Sequence, residues 1–133
     1  MIGLDTNVIV RYFAQDHEKQ SARASAVIDS LTSEEPGFIS TVTLVEMVWV
    51  MQGAYKASKA EIAQILLKLL QTREIIVQDA DIALQALSRF TESKAGFADC
   101  LIERIGHRHG CAATVTFDAD AATTAGMRHL LWE

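Results

Sequence analysis

The chain has 133 residues, 50% of them hydrophobic, one proline and a formal net charge of −5. That length suits one domain, residues 1–133, whose core buries roughly two-thirds of the unfolded surface. The composition is that of an ordered globular fold without repeats or low-complexity stretches, and the acidic balance argues against a protein that coats nucleic acid through a broad basic face.

Met1-Ile2-Gly3-Leu4 reads as a short buried strand ending at Asp5, with Thr6 or Asn7 able to cap a helix over residues 8–14. A second helix is predicted over 17–31, with Ala22, Ala26 and Val27 at helical spacing. Glu34-Glu35-Pro36-Gly37 is the clearest turn. Phe38-Ile39-Ser40 predicts a second strand, followed by a strongly apolar helix over 43–55 that contains Glu46. Ser58-x-x-Glu61 is a capping-box spacing ahead of Ile62, Ile65, Leu66 and Leu69. Ile75-Ile76-Val77 predicts a third strand. Helices are expected over 80–92 and 97–109, the second carrying Asp99. Ala113 to Phe117 predicts a fourth strand ending at Asp118, then a short helix from Asp120 to Thr124 and an edge strand from His129 to Trp132. Short strands alternating with helices indicate an α/β layer fold with a parallel sheet.

No apolar stretch reaches the roughly 18 residues that span a bilayer, and no basic signal-like region opens the chain, so a cytoplasmic protein without a membrane partner is expected. Cys100 and Cys111 do not make a disulfide framework and are read as reduced core residues.

Asp5, Glu46, Asp99 and Asp118 each stand inside or at the end of an apolar run. A desolvated carboxylate must be paired, protonated or metal-bound, so the four suggest a carboxylate-lined metal site. In parallel α/β sheets ligands bind beyond the carboxyl ends of the strands, which gives these acids an expected common location. Asp5 and Asp118 follow strands, and Glu46 and Asp99 are expected in the first turns of helices starting on the same side.

Each acid also has a purely structural reading. Asp5 caps helices readily, although Thr6 and Asn7 stand beside it for that task. Thr43-x-x-Glu46 is a capping-box spacing. Asp99 shares a helical stripe with Glu103, which in turn reaches His107, so Glu103 is taken as surface and Asp99 as ligand. Asp118 is favoured over Asp120, which capping accounts for and which is retained as an outer-shell or second-metal candidate. Asn7 and Thr116 are candidates for supporting hydrogen bonds. His107 and His109, with Cys111 nearby, lack a zinc-ligand spacing, and the two histidines read as solvated. Arg11, Arg73, Arg104 and Arg108 are scattered, and spacing does not choose among them as phosphate contacts.

The chain resembles the PIN-domain family, and within it the VapC-type ribonuclease toxins of type II toxin-antitoxin systems. The resemblance rests on Ile2-Gly3-Leu4-Asp5-Thr6-Asn7-Val8, on Ile39-Ser40-Thr41-Val42-Thr43-Leu44-Val45-Glu46, on Gly96-Phe97-Ala98-Asp99-Cys100-Leu101-Ile102 and on Thr116-Phe117-Asp118, in that order over almost the whole chain. It implies a three-layer PIN-like α/β fold with a four- to five-stranded, mostly parallel sheet flanked by helices. It further implies a Mg²⁺- or Mn²⁺-dependent endoribonuclease with Asp5, Glu46, Asp99 and Asp118 as the acidic quartet, a homodimer, and a small antitoxin whose basic segment covers the site. Cys100 departs from the pattern, which often has alanine there, and Ala119-Asp120 falls in a changeable region.

Oxygen-rich sites suit hard divalent cations, which polarise a phosphodiester and activate water without a protein nucleophile. Two other acidic α/β classes fit less well. A haloacid-dehalogenase-like phosphatase wants a second aspartate where Asn7 stands, and a receiver domain wants paired acids after the first strand and a lysine after the last. A non-catalytic PIN-like binding module is the remaining alternative, and the intact quartet speaks against it.

Overall fold

The structure, a computed structural model, describes residues 1–131. The chain divides into two compact units, Met1–Ala80 and Asp81–Glu133. Among the described residues there are seven α-helices and five strands, in an order that follows the predicted one.

In the first unit, β1 (Ile2–Gly3), β2 (Gly37–Ile39) and β3 (Ile75–Val77) form a parallel sheet in the order β1-β2-β3. Ile2 pairs with Gly37, and Ile39 with Val77. Strands this short and parallel hold register because the central one is buried: Ile39 is 0% exposed. Gly37 is dictated by packing, since a Cβ there would stand 2.8 Å from Leu4 Cδ1 and 2.9 Å from Leu31 Cδ1.

Four helices complete this unit: α1 (Thr6–Ala14), α2 (Glu18–Ser30), α3 (Thr41–Gly53) and α4 (Lys59–Gln71). Helix α1 packs against α2 and α3, and α4 against β3 and α3. Helix α1 stops at Gln15, whose left-handed backbone (φ 51°) turns the amide back to Arg11 O while its side-chain amide donates to Tyr12 O at 2.7 Å. Helix α2 is capped by His17, whose Nδ1 accepts from the Gln20 amide at 3.2 Å, a cap with no sequence signal of the usual kind. The capping box of α4 is present in full: Ser58 Oγ accepts from Glu61 N at 3.1 Å, and Glu61 Oε1 accepts from Ser58 N at 2.9 Å.

Helix α3 differs from the expectation. Ser40 is not in the strand but is the helix N-cap, its Oγ accepting from Thr43 N at 3.1 Å, so the helix starts two residues earlier than predicted. It is apolar on every side. Leu44, Met47 and Val48 are buried, and the opposite side leaves Val42 and Trp49 exposed, Trp49 to 62%.

In the second unit, α5 (Ala80–Glu92) and α6 (Phe97–Arg108) are the long helices, and Phe90 and Phe97 meet edge-to-face at 6.0 Å in its core. Arg108 on α6 pairs with Asp81 on α5. Strands β4 (Val115–Thr116) and β5 (Arg128–His129) pair in parallel, joined through α7 (Ala119–Thr124). Gly126, at φ 81°, turns the chain into β5 where a Cβ would lie 2.8 Å from the Arg89 guanidinium. The fold is therefore α/β with parallel strands, as expected. The five strands are divided into a three-stranded and a two-stranded sheet, in which the two ladder residues of β4 pair with β5. The predicted edge strand begins at Arg128, one residue early, and Trp132 lies outside the described residues.

Cys100 is buried as expected, whereas Cys111 is exposed, because it follows the end of α6 at the Gly110 turn rather than entering a strand. Among the described residues no helix is long and apolar enough to cross a membrane.

Candidate active site

The carboxyl ends of the three parallel strands of the first unit share one side, and each hands the chain to a polar residue. After β1 comes Leu4 and then Asp5, the N-cap of α1. After β2 comes Ser40, the N-cap of α3. After β3 comes Gln78, whose Oε1 accepts from the Thr41 amide at 3.0 Å. The switch from strand to helix at each point leaves helix-start amides that polar side chains must satisfy.

Asp5 performs this capping itself: its Oδ1 accepts from Thr6 N at 2.8 Å. The expectation that Thr6 or Asn7 would cap and leave Asp5 uncommitted is therefore corrected. Thr6 instead turns its hydroxyl across to α3, donating to Glu46 Oε1 at 2.9 Å. Glu46 is the sixth residue of α3, in its second turn, and is no part of a capping box, since Ser40 holds that role. Asp5, Thr6, Asn7, Val10, Arg11, Glu46, Val50, Ala54 and Tyr55 line a cavity of about 440 Å³. The structure thus brings two of the four predicted acids, and the supporting Asn7, into one pocket.

Asp99 and Asp118 belong to the second unit. Asp99 is the third residue of α6, in its first turn as expected. The N-cap there is Gly96, which supplies no side-chain bond, and Asp99 Oδ2 lies 3.8 Å from where a Cβ on Gly96 would stand. A carboxylate in that turn is favoured by the helix dipole. Asp118 caps α7, its Oδ1 accepting from Asp120 N at 2.8 Å and Ala121 N at 3.2 Å. The roles expected of Asp118 and Asp120 are thereby exchanged as far as capping goes. Thr116 supports Asp118, its Oγ1 accepting from the Asp118 amide at 3.0 Å. Asp120 is exposed in the first turn of α7.

The desolvation argument does not hold in the structure. Asp5, Glu46 and Asp118 are exposed and Asp99 is partly so; buried Leu44 and Met47 face away from Glu46, and Val115 and Phe117 beside Asp118 are themselves exposed. What sets three of these acids apart is how their oxygens are used. Asp5 Oδ1, Glu46 Oε1 and Asp118 Oδ1 each accept a bond that fixes the carboxylate, and the second oxygen of each has no hydrogen-bond donor among the described residues. Such an oxygen is available to a cation.

Two features escape the sequence. Glu103 is not a surface residue: its side chain is 13% exposed and accepts from Arg104 at 2.7 and 3.0 Å. The Arg104 guanidinium holds Glu103 below the ordinary carboxylate range despite burial, with the charges of Arg89 and His107 adding to the effect. His107 and His109 are exposed, in keeping with their reading as solvated. The second feature is at the rim of the Asp5–Glu46 pocket. Arg11 Nη1 donates to Asp16 Oδ1 at 3.1 Å and to Tyr55 Oη at 2.9 Å, Arg11 Nε donates to Gln20 Oε1 at 2.8 Å, and the Tyr55 hydroxyl donates to Asp16 Oδ2 at 2.7 Å. The Tyr55 hydroxyl holds the Asp16 carboxyl below its usual range, and the same bond raises the Tyr55 phenol. Tyr55 lies 44 residues from Arg11, so no local pattern announces this contact.

The sequence matches the family described as PIN domain over residues 2–127, which crosses both units. The chain belongs to the PIN-domain family. The haloacid-dehalogenase-like and receiver readings give way to it. A search of curated proteins gives no match. PIN domains are in general nucleases that use divalent metal ions, so the fold is a metal-dependent nuclease fold. Among the described residues there is no group of three or more His, Cys, Asp or Glu side chains able to hold an ion by itself. The Asp5–Glu46 pair nevertheless fits a hard divalent cation, which binds through one or two carboxylates and retains several waters.

Proposed function

We propose that this PIN domain is a Mg²⁺- or Mn²⁺-dependent endoribonuclease, with Asp5, Glu46, Asp99 and Asp118 as its catalytic acids. The observation that carries the reading is the pocket at the carboxyl ends of β1 and β2, where Asp5 and Glu46 each present an unengaged oxygen. The family match through residues 2–127 supports treating the two units as one domain.

In this reading Asp5, Asp99 and Asp118 hold the ion, which when bound polarises the phosphodiester and lowers the pKa of a water molecule. Glu46 is a further ligand or accepts a hydrogen bond from the attacking water, and Thr6 fixes its orientation through the 2.9 Å bond to Oε1. Asn7 lines the same pocket and donates to a phosphate oxygen or water, and Thr116 steadies Asp118. Asp120 stands by as an outer-shell or second-metal residue. The net charge of −5 suits a protein whose substrate-facing charge is supplied by bound cations.

The finer proposal is a VapC-type toxin of a toxin-antitoxin pair, acting in the cytoplasm as a homodimer and restrained by a small antitoxin whose basic segment enters the acidic pocket. Val42 and Trp49 on the outer side of α3 offer an apolar surface of the kind a subunit interface uses.

The deciding experiment incubates the purified, antitoxin-free protein and Asp99→Asn with structured RNA in Mg²⁺, in Mn²⁺ and in EDTA. Cleavage by the wild type only, abolished by EDTA, is the expected result. Equal cleavage by both proteins refutes the site. Metal binding without cleavage by either supports the non-catalytic binding module instead.

A further inference from the structure

Arg11 is the cation among the residues lining the acidic pocket, and with Asn7 it also lines a second cleft of about 260 Å³. The second cleft is completed by Val8, Gln20, Arg23, Ala24 and Val27, so it joins two guanidinium groups to an apolar floor beside the two carboxylates.

A guanidinium has five N–H donors. In Arg11 one on Nε and two on Nη1 are taken by Gln20, Asp16 and Tyr55, which immobilises the group, while Nη2 has no acceptor among the described residues. A side chain held this firmly has already given up its rotamer freedom, so binding an anion through the remaining edge costs little more ordering. Arg23, on α2, is exposed across the cleft and has no ion-pair partner among the described residues.

We propose that the cleft between α1 and α2 is the subsite for the nucleotide next to the scissile bond. Arg11 and Arg23 bind its backbone phosphate, and Val8, Ala24 and Val27 receive its sugar or base. The proposal rests on the ribonuclease reading and extends it to the path of the substrate: the RNA strand runs from the acidic pocket across Asn7 and Arg11 into the basic, apolar cleft. Interactions with phosphate position the strand without reading its sequence.

The test measures binding of a fluorescent single-stranded RNA to the full chain at constant Mg²⁺ over a range of KCl, in an Asp99→Asn background. Arg11→Gln, Arg23→Gln and Arg11→Lys are added to that background. Removing one cation that neutralises a phosphate makes the plot of log affinity against log salt shallower by about 0.7 for a single strand. Both Gln variants are expected to show this change, to the same extent on RNAs of different sequence, and Arg11→Lys, which retains the charge, is not. A merely structural role for Arg11 moves the melting temperature and leaves the slope alone. If Arg11→Gln does not fold, Arg23→Gln decides by itself. Wild-type cleavage together with unchanged slopes in the Gln variants overturns this subsite while leaving the nuclease reading standing. Absence of both cleavage and RNA binding in the wild type overturns both.

Discussion

Asp5 caps α1, the proposed reading gives it a second role in the site, and substitution separates the two. Its Oδ1 caps α1 through Thr6 N at 2.8 Å, and no other acidic residue occupies the first turn of that helix. Asn is as good an N-cap as Asp, so Asp5→Asn retains the bond and loses only the attraction of a full charge to the helix dipole, about 0.5 kcal/mol. Asp5→Ala loses both. The cap bond reaches the first helical amide rather than the second or third, which places its contribution at the low end, and the sum for Ala is about 1 kcal/mol. For a chain of this length that corresponds to a fall in Tm of about 3–5 °C, readable by thermal or urea melts. Cleavage separates differently. Both variants remove the ionised oxygen that faces the pocket, and both are expected to lose about 10²-fold or more in RNA cleavage, the scale of deleting one group that stabilises developing charge. Asp5→Asn cleaving like the wild type would show that Asp5 is a cap and nothing more. Equal stability of the Asn and Ala variants would show that the 2.8 Å bond contributes nothing.

Three further outcomes follow from the geometry. Gly37→Ala forces a methyl to within 2.8–2.9 Å of Leu4 and Leu31 side chains in the middle of the sheet, and is expected to lower the urea midpoint by the equivalent of about 1–3 kcal/mol. Thr6→Val removes the hydroxyl that fixes Glu46, so stability should change by no more than about 0.5 kcal/mol while kcat falls, and Thr6→Ser should restore it; kcat unchanged in Thr6→Val would remove Thr6 from the site. Glu103 has a folded pKa below its ordinary 4.5, chiefly through the bonds from Arg104. Its stabilisation is therefore complete above the unfolded pKa and disappears as pH falls through the folded value. Glu103→Gln should cost about 1 kcal/mol at neutral pH and flatten the fall in Tm on the acid side of 4.5, which a pH series of melts would check.

Where a segment carries its own punctuation, the sequence is sufficient. Ser58 and Glu61 fix the start of α4, and Ile75 to Val77 form β3 at the predicted residues. The same holds for the bounds of α5. Reading fails where a polar residue sits at a strand-helix junction, because alternation and capping then compete for it. Alternation places Ser40 in the strand, whereas it caps α3, and that shift moves Glu46 from the first turn into the second. Burial of the acids escapes the sequence for a related reason. An acid among apolar neighbours in sequence is displayed opposite to them on a helix, as Glu46 is between buried Met47 and Leu44. The Arg11–Tyr55 contact and the neighbourhood of Glu103 depend on tertiary packing, to which no spacing rule speaks.

In the sequence, the capping and catalytic readings of these acids compete, and the structure shows why they need not. A carboxylate has two oxygens. In Asp5 and Asp118 one oxygen satisfies helix-start amides, and in Glu46 one accepts from Thr6, so that each group is held at one end and presents the other outward. An acid used only as a cap has no need for the second oxygen to face a pocket. An acid used only as a ligand, on an exposed flexible side chain, would have to give up its rotamer freedom at each binding event. In the proposed site, acids after β1 and β4 would do both at once, since the amides that begin α1 and α7 are the donors that orient each carboxylate. Fixing a carboxylate through one oxygen costs one ligand atom per residue, and so several residues, rather than one chelating side chain, must share an ion. That division is a physical reason for the proposed site to draw on several acids.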